Sequence, residues 1–285
     1  MALPLSRRAA LFALGSTVLL GSCTIASDGK NTPNSASASE GSLKTVTPGK
    51  LTIATGEPAY SPWVENNDPA SGKGFEAAVA YAVAGKLGFA NADVVWVRST
   101  FDAAVAPGAK DWDFNLQQFS ITEERRNAVD FSSPYYTTAQ AVVTLKGSPV
   151  SGATTVAELK SALLGAQTGT TSHRMLTETV APTNAPSVFN NSQDTVQALK
   201  GGQVDAIVVD LPTALYLVAA ELDGGVVVGQ FADTSGGDQF GLVLPKGSPL
   251  TAAVTGAVDA LRTDGTLDSL TKTWLSETVN VPVLS

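Results

Sequence analysis

The sequence predicts an α/β protein built as two lobes, preceded by a segment outside the fold. Three observations carry this. From residue 49 onward, short β-rich runs alternate with helical runs. That alternation stops at Lys146-Gly147-Ser148-Pro149 and then begins again. Residues before 49 read as an export signal and a low-complexity tether. Alternating strands and helices imply helices layered on a largely parallel sheet. The chain has 285 residues, 44% of them hydrophobic, which is ample for one large or two modest cores.

The first element is the leader. Arg7-Arg8 precedes the apolar run 10–20, which ends in Gly21-Ser22-Cys23. A charged start, a short apolar run and small residues are the pattern of a secretory signal over 1–22. The run is too short to span a bilayer. Ser6-Arg7-Arg8 also hints at twin-arginine export, although Ala10 stands where a Phe would strengthen it. Residues 23–48 are rich in Ser, Ala, Asn, Thr and Gly, so they bury too little surface to fold. As a flexible tether they span roughly 25–30 Å r.m.s..

The folded part begins with a strand at 51–55. A helix follows over 74–86, with Phe75, Val79, Val83 and Leu87 on one face and Gly88 as its stop. Strands are predicted at 94–97, 113–119 and 139–145. After the restart come a helix at 156–164, a short strand at 165–169 and a helix from Thr171. Residues 195–199 lie in another helix, and 204–210 form a buried strand. Residues 212–222 are helical, with Pro212 near the first turn. Strands at 226–229 and 240–245 follow. Ser248-Pro249 opens a helix striped by Leu250, Val254, Val258 and Leu261, and a last helix holds Leu267, Leu270 and Trp274.

Charge and composition exclude some functions. The formal net charge is −8, and no basic cluster of a nucleic-acid binder is present. Cys23 is the only cysteine and His173 the only histidine. No intrachain disulfide and no His/Cys metal cluster can be built from them. There is no G-x-S-x-G elbow, and no cofactor motif. An acid–base pair such as Glu57 and Asp210 is the only catalytic constellation left open.

One motif is out of place. In SITEERRNAVDFS, at 120–132, Thr122 suits a helix N-cap, and Glu123 and Glu124 suit a first turn. Arg125 adds a positive charge where the helix dipole is already positive. Either it pairs with Glu123, Glu124 or Asp130, or it awaits an anionic partner. Arg126 is the better surface residue.

Seven stretches, taken in order, resemble the bacterial extracellular solute-binding proteins of family 3, the amino-acid receptors of ABC importers. They are LTIATGEPAYSPW (51–63), GKGFEAAVAYAVAGKLG (72–88), SITEERRNAVDFSSPYY (120–136), QTGTTS (167–172), ALKGGQVDAIVVD (198–210), FGLVLPKGSP (240–249) and LRTDGTLDSLTKTW (261–274). The resemblance covers nearly all of 49–277. It implies a type II-like periplasmic-binding-protein fold, with two lobes joined by two β-strand crossovers that form a hinge. Carried over, the crossovers are 141–143 and 240–242. Lobe 1 is then 49–143 with 240–285, and lobe 2 is 144–239. Leu20-Gly21-Ser22-Cys23 likewise resembles a lipobox, which implies a lipid on Cys23 and attachment to the cell membrane. The implied partners are a free amino acid and a membrane permease, with the receptor a monomer. Alternatives are a receptor that reports to a membrane signalling partner, and a dehydratase-like enzyme on the same fold.

The resemblance also implies a site. Arg125 falls at the carboxylate anchor, where a guanidinium grips with two parallel hydrogen bonds. Ser120 matches a hydroxyl position, and the carbonyl at Gln118 matches one that meets the ligand, although many relatives carry Gly there. Thr170 and Thr171 open a helix whose free N–H groups suit the same carboxylate; an ordinary capped helix is the alternative. Asp210, at the carboxyl end of a strand, matches the ammonium partner; capping the next helix is the alternative. Trp63 and Tyr60 stand where aromatics pack on the ligand, or are core. Phe101 is a further wall or core residue. Glu57 stands where some relatives carry an acid for a polar or cationic side chain, which favours such an amino acid.

Overall fold

The computed structural model describes residues 43–232, 237–275 and 280–285. The export signal, Cys23 and the start of the tether lie outside the described residues. The elements run in chain order as follows. First come β1 (Leu51–Thr55), α1 (Phe75–Lys86), β2 (Val94–Arg98), α2 (Phe101–Val105), β3 (Phe114–Asn115), α3 (Glu123–Ala128) and β4 (Val129–Thr138). Then come β5 (Gln140–Leu145), β6 (Leu164–Gln167), α4 (Thr171–Arg174), β7 (Ser187–Phe189), α5 (Ser192–Lys200), β8 (Ala206–Asp210), α6 (Leu211–Tyr216) and β9 (Gly225–Phe231). The chain ends with β10 (Asp238–Pro245), α7 (Thr251–Thr263), α8 (Thr266–Trp274) and β11 (Val283–Leu284). Helices α4 and α6 continue in wider, π-helical turns over Met175–Val180 and Leu217–Glu221.

Two mixed sheets result, one per lobe. The first has the order β2-β1-β3-β10-β4, and the second β11-β9-β5-β8-β6-β7. Each is parallel except where a crossing strand enters. Strand β10 runs antiparallel to β3 and β4, and β5 antiparallel to β8 and β9. The largely parallel sheet expected from the alternation is thus two mixed ones, because a strand arriving straight from the other sheet has no crossover helix to reverse it.

Period-2 patterning gives each sheet two apolar faces. In β5, Val142 joins a cluster with Leu164, Leu176 and Val208, while Ala141 and Val143 join Val196, Leu199, Ile207 and Leu217. In the first sheet, Leu51, Ile53, Leu242 and Leu244 pack with Phe75, Val79, Val83 and the α7 stripe Val254, Val258 and Leu261. Ala54 and Val243 face the other way, with Trp112, Phe119 and Phe131.

Lobe limits differ from the expected ones by a few residues. Ala141–143 pair with Val209, Val208 and Ile207, so they belong to the second sheet. The first crossing is at Ala139, between β4 and β5. Phe240 and Gly241 pair with Tyr136 and Pro134 in the first sheet, so the second crossing lies between Phe231 and Asp238. The end of the chain, expected in lobe 1, returns to the second sheet: Val283 and Leu284 pair with Gln230 and Phe231. Leu284 is 2% exposed and fills that core, a gain no local pattern announces.

Other local expectations shift for similar reasons. The helix expected at 156–164 is only one tight turn, Val156–Leu159, closed by a capping box between Thr155 and Glu158. The strand expected at 113–119 keeps two residues, because the chain turns at Gln118, where φ is 51°. The ten-residue strand β4 was not expected, since Asp130, Ser132, Ser133 and Pro134 interrupt its apolar pattern. Its pairing with β10 holds it.

Candidate functional site

The cleft lies between the lobes, with about 900 Å³ of empty space counted out to its open mouth. Tyr60, Trp63, Phe101, Gln118, Ser120 and Arg125 line it from the first lobe. Thr170, Thr171, Asp210 and Thr213 line it from the second. Of the nine ligand-binding residues expected from the sequence, only Glu57 stands outside this cleft.

Arg125 sits in the first turn of α3, whose N-cap Thr122 accepts from the Arg125 backbone N–H at 3.1 Å. Its guanidinium donates to Ser120 O at 2.7 Å and, across the cleft, to Gly169 O at 2.9 Å. It lies 5.2 Å over the ring of Phe101, which is itself stacked on Phe119. Among the described residues no carboxylate stands within 4 Å of it. The surface alternatives are otherwise engaged: Glu123 pairs with Arg126 at 3.6 Å, and Asp130 with Lys246 at 3.2 Å. A guanidinium has five N–H donors, so several remain for another acceptor. Burial lowers its pKa most, and Asp238, Asp210 and Glu124 oppose that. It stays a cation.

Asp210 faces it at the end of β8. Although it occupies the N-cap of α6, its side chain makes no capping bond. Instead it accepts from Gln140 Nε2 at 2.6 Å. Burial pushes its carboxyl up to about 8, aided by Asp238 and Glu76; the Gln140 bond and Arg125 pull the other way.

The second-lobe threonines divide their roles. Thr170 caps α4: its Oγ1 accepts from His173 N at 3.1 Å and donates to Gln167 O at 2.7 Å. Thr171 turns inward, meeting Ser120 Oγ at 3.3 Å and donating to Asp238 Oδ2 at 2.8 Å. Gly169 permits the close approach of the lobes. Its φ is +69°, and a Cβ there would lie 2.9 Å from Asp102 Oδ1.

Trp63 is 1% exposed and sits among Phe75, Tyr136 and Phe240. Its indole N–H reaches over to donate to Thr213 Oγ1 at 3.0 Å. So it is both core and cleft wall. The loop carrying it docks on the start of α1, where Phe75 N and Glu76 N donate to Pro62 O and Trp63 O, each at 2.9 Å. Gly74 is required there: a Cβ would fall 2.5 Å from Trp63 O. Tyr60 lines the cleft with its hydroxyl buried and without a hydrogen-bond partner among the described residues.

Gln118 is held by Glu76, a carboxylate 1% exposed. Glu76 Oε1 accepts from Gln118 N at 2.7 Å, and the carboxylate also accepts from Gln118 Nε2 and the Tyr135 hydroxyl. Burial pushes Glu76 up to about 7 against those bonds. The side chain of Gln118 therefore turns to α1 as well as lining the cleft.

Glu57 is displaced by Arg98. That guanidinium is pinned by Gly56 O at 2.7 Å and by Asn67, and Glu57 pairs with it at 3.4 Å while its side chain is 57% exposed. It borders a neighbouring cavity, not the main cleft.

Two residues behind the cleft wall were missed, Gln140 and Asp238, which bond to its lining residues Asp210 and Thr171. Gln140 Nε2 donates to Asp238 Oδ2 at 2.6 Å as well as to Asp210. A signal existed: a lone amide in the apolar run 139–145 needs buried partners.

Comparison with known proteins follows the same lines. The chain is 29% identical over 230 residues to a probable histidine-binding protein of Campylobacter jejuni, covering 78% of this chain and 84% of that protein. It is 28% identical over 244 residues to the L-cystine-binding protein TcyJ of Escherichia coli, covering 85% and 89%. Among solved structures it matches an ancestral arginine-binding protein bound to arginine, with a TM-score of 0.67 and 32% identity over 80% of this chain and 99% of that one. These relatives are binding proteins. The family model of bacterial extracellular solute-binding proteins, family 3, matches residues 51–277, and this chain belongs to that family.

Proposed function

We propose that this chain is an extracytoplasmic receptor that captures a free amino acid between its lobes and delivers it to an ABC-transporter permease. The observation that carries this reading is a guanidinium and a carboxyl in one cleft, neither with an ionic partner among the described residues. Arg125 has no carboxylate within 4 Å among the described residues, and Asp210 has only an amide. Leaving such groups unpaired on desolvation is costly, and an α-amino acid supplies both partners at once. Arg125 takes the carboxylate with Ser120 and Thr171 beside it, and Asp210 takes the ammonium. Trp63, Tyr60 and Phe101 flank the side chain.

Relatives named for histidine, cystine and arginine support a polar or cationic amino acid. The lobes already touch through Trp63–Thr213, Ser120–Thr171 and Arg125–Gly169, which supports capture by hinge closure. A lipid on Cys23 and the tether keep the receptor near its permease.

Calorimetry against a panel of amino acids tests this. Binding of at least one, tighter than ~10 μM, is the expected result. No binding below ~1 mM across the panel refutes it. Recovery of the ligand chemically unchanged separates capture from turnover, and co-purification with a permease or with a sensor kinase separates transport from signalling.

A further inference from the structure

Asp238 stands where the chain re-enters the first sheet, and Gln140 where it enters the second. They are 98 positions apart, yet one nitrogen of Gln140 donates at 2.6 Å to Asp238 Oδ2 and at 2.6 Å to Asp210 Oδ1. Thr171 Oγ1 lies 3.3 Å from the same nitrogen. An amide nitrogen carries two N–H groups, so both are taken by carboxylates. The orientation is held from the other end, where Gln140 Oε1 accepts from Ser172 Oγ at 2.6 Å. Gln140 is 3% exposed, so its amide has no partner besides these among the described residues, while Asp210 and Asp238 are each half-buried.

Two oxygens on one nitrogen at these lengths lie within about 5 Å of each other, close enough for strong repulsion if both groups are ionised. Among the described residues, no lysine, arginine or histidine stands within 4 Å of either carboxylate. The other groups facing Asp210 are Glu76 from α1, Arg125 from α3, and Tyr135 and Tyr136 from β4. Only Arg125 is a cation.

We propose that Asp238 is a second carboxylate of the cation site, coupled to Asp210 through Gln140, and that the site exchanges a proton for an incoming ammonium group. This rests on the amino-acid reading above for the identity of that group. In the empty cleft Asp210 is a carboxylic acid. When the ligand ammonium enters, Asp210 gives its proton to the buffer, and the carboxylate accepts a hydrogen bond from the ammonium. One unit of positive charge leaves Asp210 as the ammonium brings another, so the charge of that corner is unchanged, while Arg125 meets the ligand's carboxylate. Asp238 does not line the cleft, and it acts on the ligand through Asp210 and Thr171. The raised carboxyl of Asp210, with Asp238 its largest cause after burial, agrees with this.

The decisive variant is Asp238→Asn, which keeps the shape and an acceptor oxygen for Gln140 and Thr171 but removes the charge. Two measurements are made. In the ligand-free protein, the Asp210 carboxyl is titrated by 13C NMR, and its midpoint should fall by one unit or more in the variant. With the best-binding amino acid at pH 7, calorimetry in phosphate and in Tris counts protons released. Wild type should release close to one and the variant less than a third of that. Glu76→Gln, which leaves the Asp210–Asp238 pair intact, should still release most of the proton. An unchanged Asp210 midpoint, or equal proton release by wild type and Asp238→Asn, overturns the proposal. A lowered melting temperature in Asp238→Asn with an unmoved midpoint also overturns it, since a merely structural role predicts that. If no amino acid binds, the receptor reading fails, and the ligand-free titration still decides the carboxylate pair.

Discussion

Replacing Arg125 by Ala removes the one cation that, among the described residues, lines the cleft from the first lobe. The wild-type guanidinium makes two bonds within the protein, to Ser120 O and Gly169 O, and lies over Phe101. In the complex it would add a two-pronged, charge-assisted contact to the ligand carboxylate. Deleting one partner of a fully buried ion pair costs about 3–5 kcal/mol. Arg125 is only partly buried, so a loss of about 2–4 kcal/mol is the better figure. At about 1.4 kcal/mol per decade, that is roughly a 30- to 700-fold rise in Kd. The assay is calorimetry with the amino acid that wild type binds best. Thermal unfolding run alongside shows whether the fold survives, and the lost protein contacts predict only about 1–2 kcal/mol there. Arg126→Ala is the control. Its pair with Glu123 is exposed, at 3.6 Å, and worth less than about 1 kcal/mol, so affinity should not move. A Kd for Arg125→Ala within twofold of wild type refutes the anchor and, with it, the idea that the unspent guanidinium marks the ligand carboxylate.

Three further outcomes are expected. Gly74→Ala places a Cβ 2.5 Å from Trp63 O at a φ of 101°, so it should cost about 2–4 kcal/mol and lower the melting temperature by several degrees; an unchanged transition in differential scanning calorimetry would disprove the packing account. In the ligand-free protein, Asp210 is raised from 3.8 to about 8 and Glu76 from 4.5 to about 7, so the native state holds more protons than the unfolded chain between those limits. Their contribution is present below pH 4 and lost as pH rises to 8; the melting temperature should therefore fall from pH 5 to pH 8, and a rise across that window would contradict the burial of these carboxyls. Cys23→Ala should release the protein from the membrane fraction into the soluble fraction and abolish labelling by radioactive palmitate, whereas retention with label would place the lipid elsewhere.

Several residues that line the cleft stood out in the sequence because their signals are local. A misplaced arginine behind an N-cap, an acid closing an apolar strand and a threonine pair opening a helix each break the pattern of a single element. The structure brings Arg125, Asp210 and Thr171 to one cleft. Glu57 lies outside the cleft for an equally physical reason. Its fate depends on Arg98, on another strand, which holds it outward at 3.4 Å. Gln140 and Asp238 were passed over, because a glutamine in a strand and an aspartate before one are unremarkable until the two are seen to share a bond.

Alternating apolar periods and turn residues, taken alone, determined that this chain makes strands and helices in two successive sets, and placed Arg125 at a helix start. Such patterns act within a few residues, so they are written in the chain itself. Tertiary structure alone decided which sheet each crossing strand joins, that the last strand returns to the second lobe, and that two carboxylates meet over one amide. Those outcomes depend on ladder partners and buried donors up to 128 positions away, where only the folded packing decides which groups lose water together.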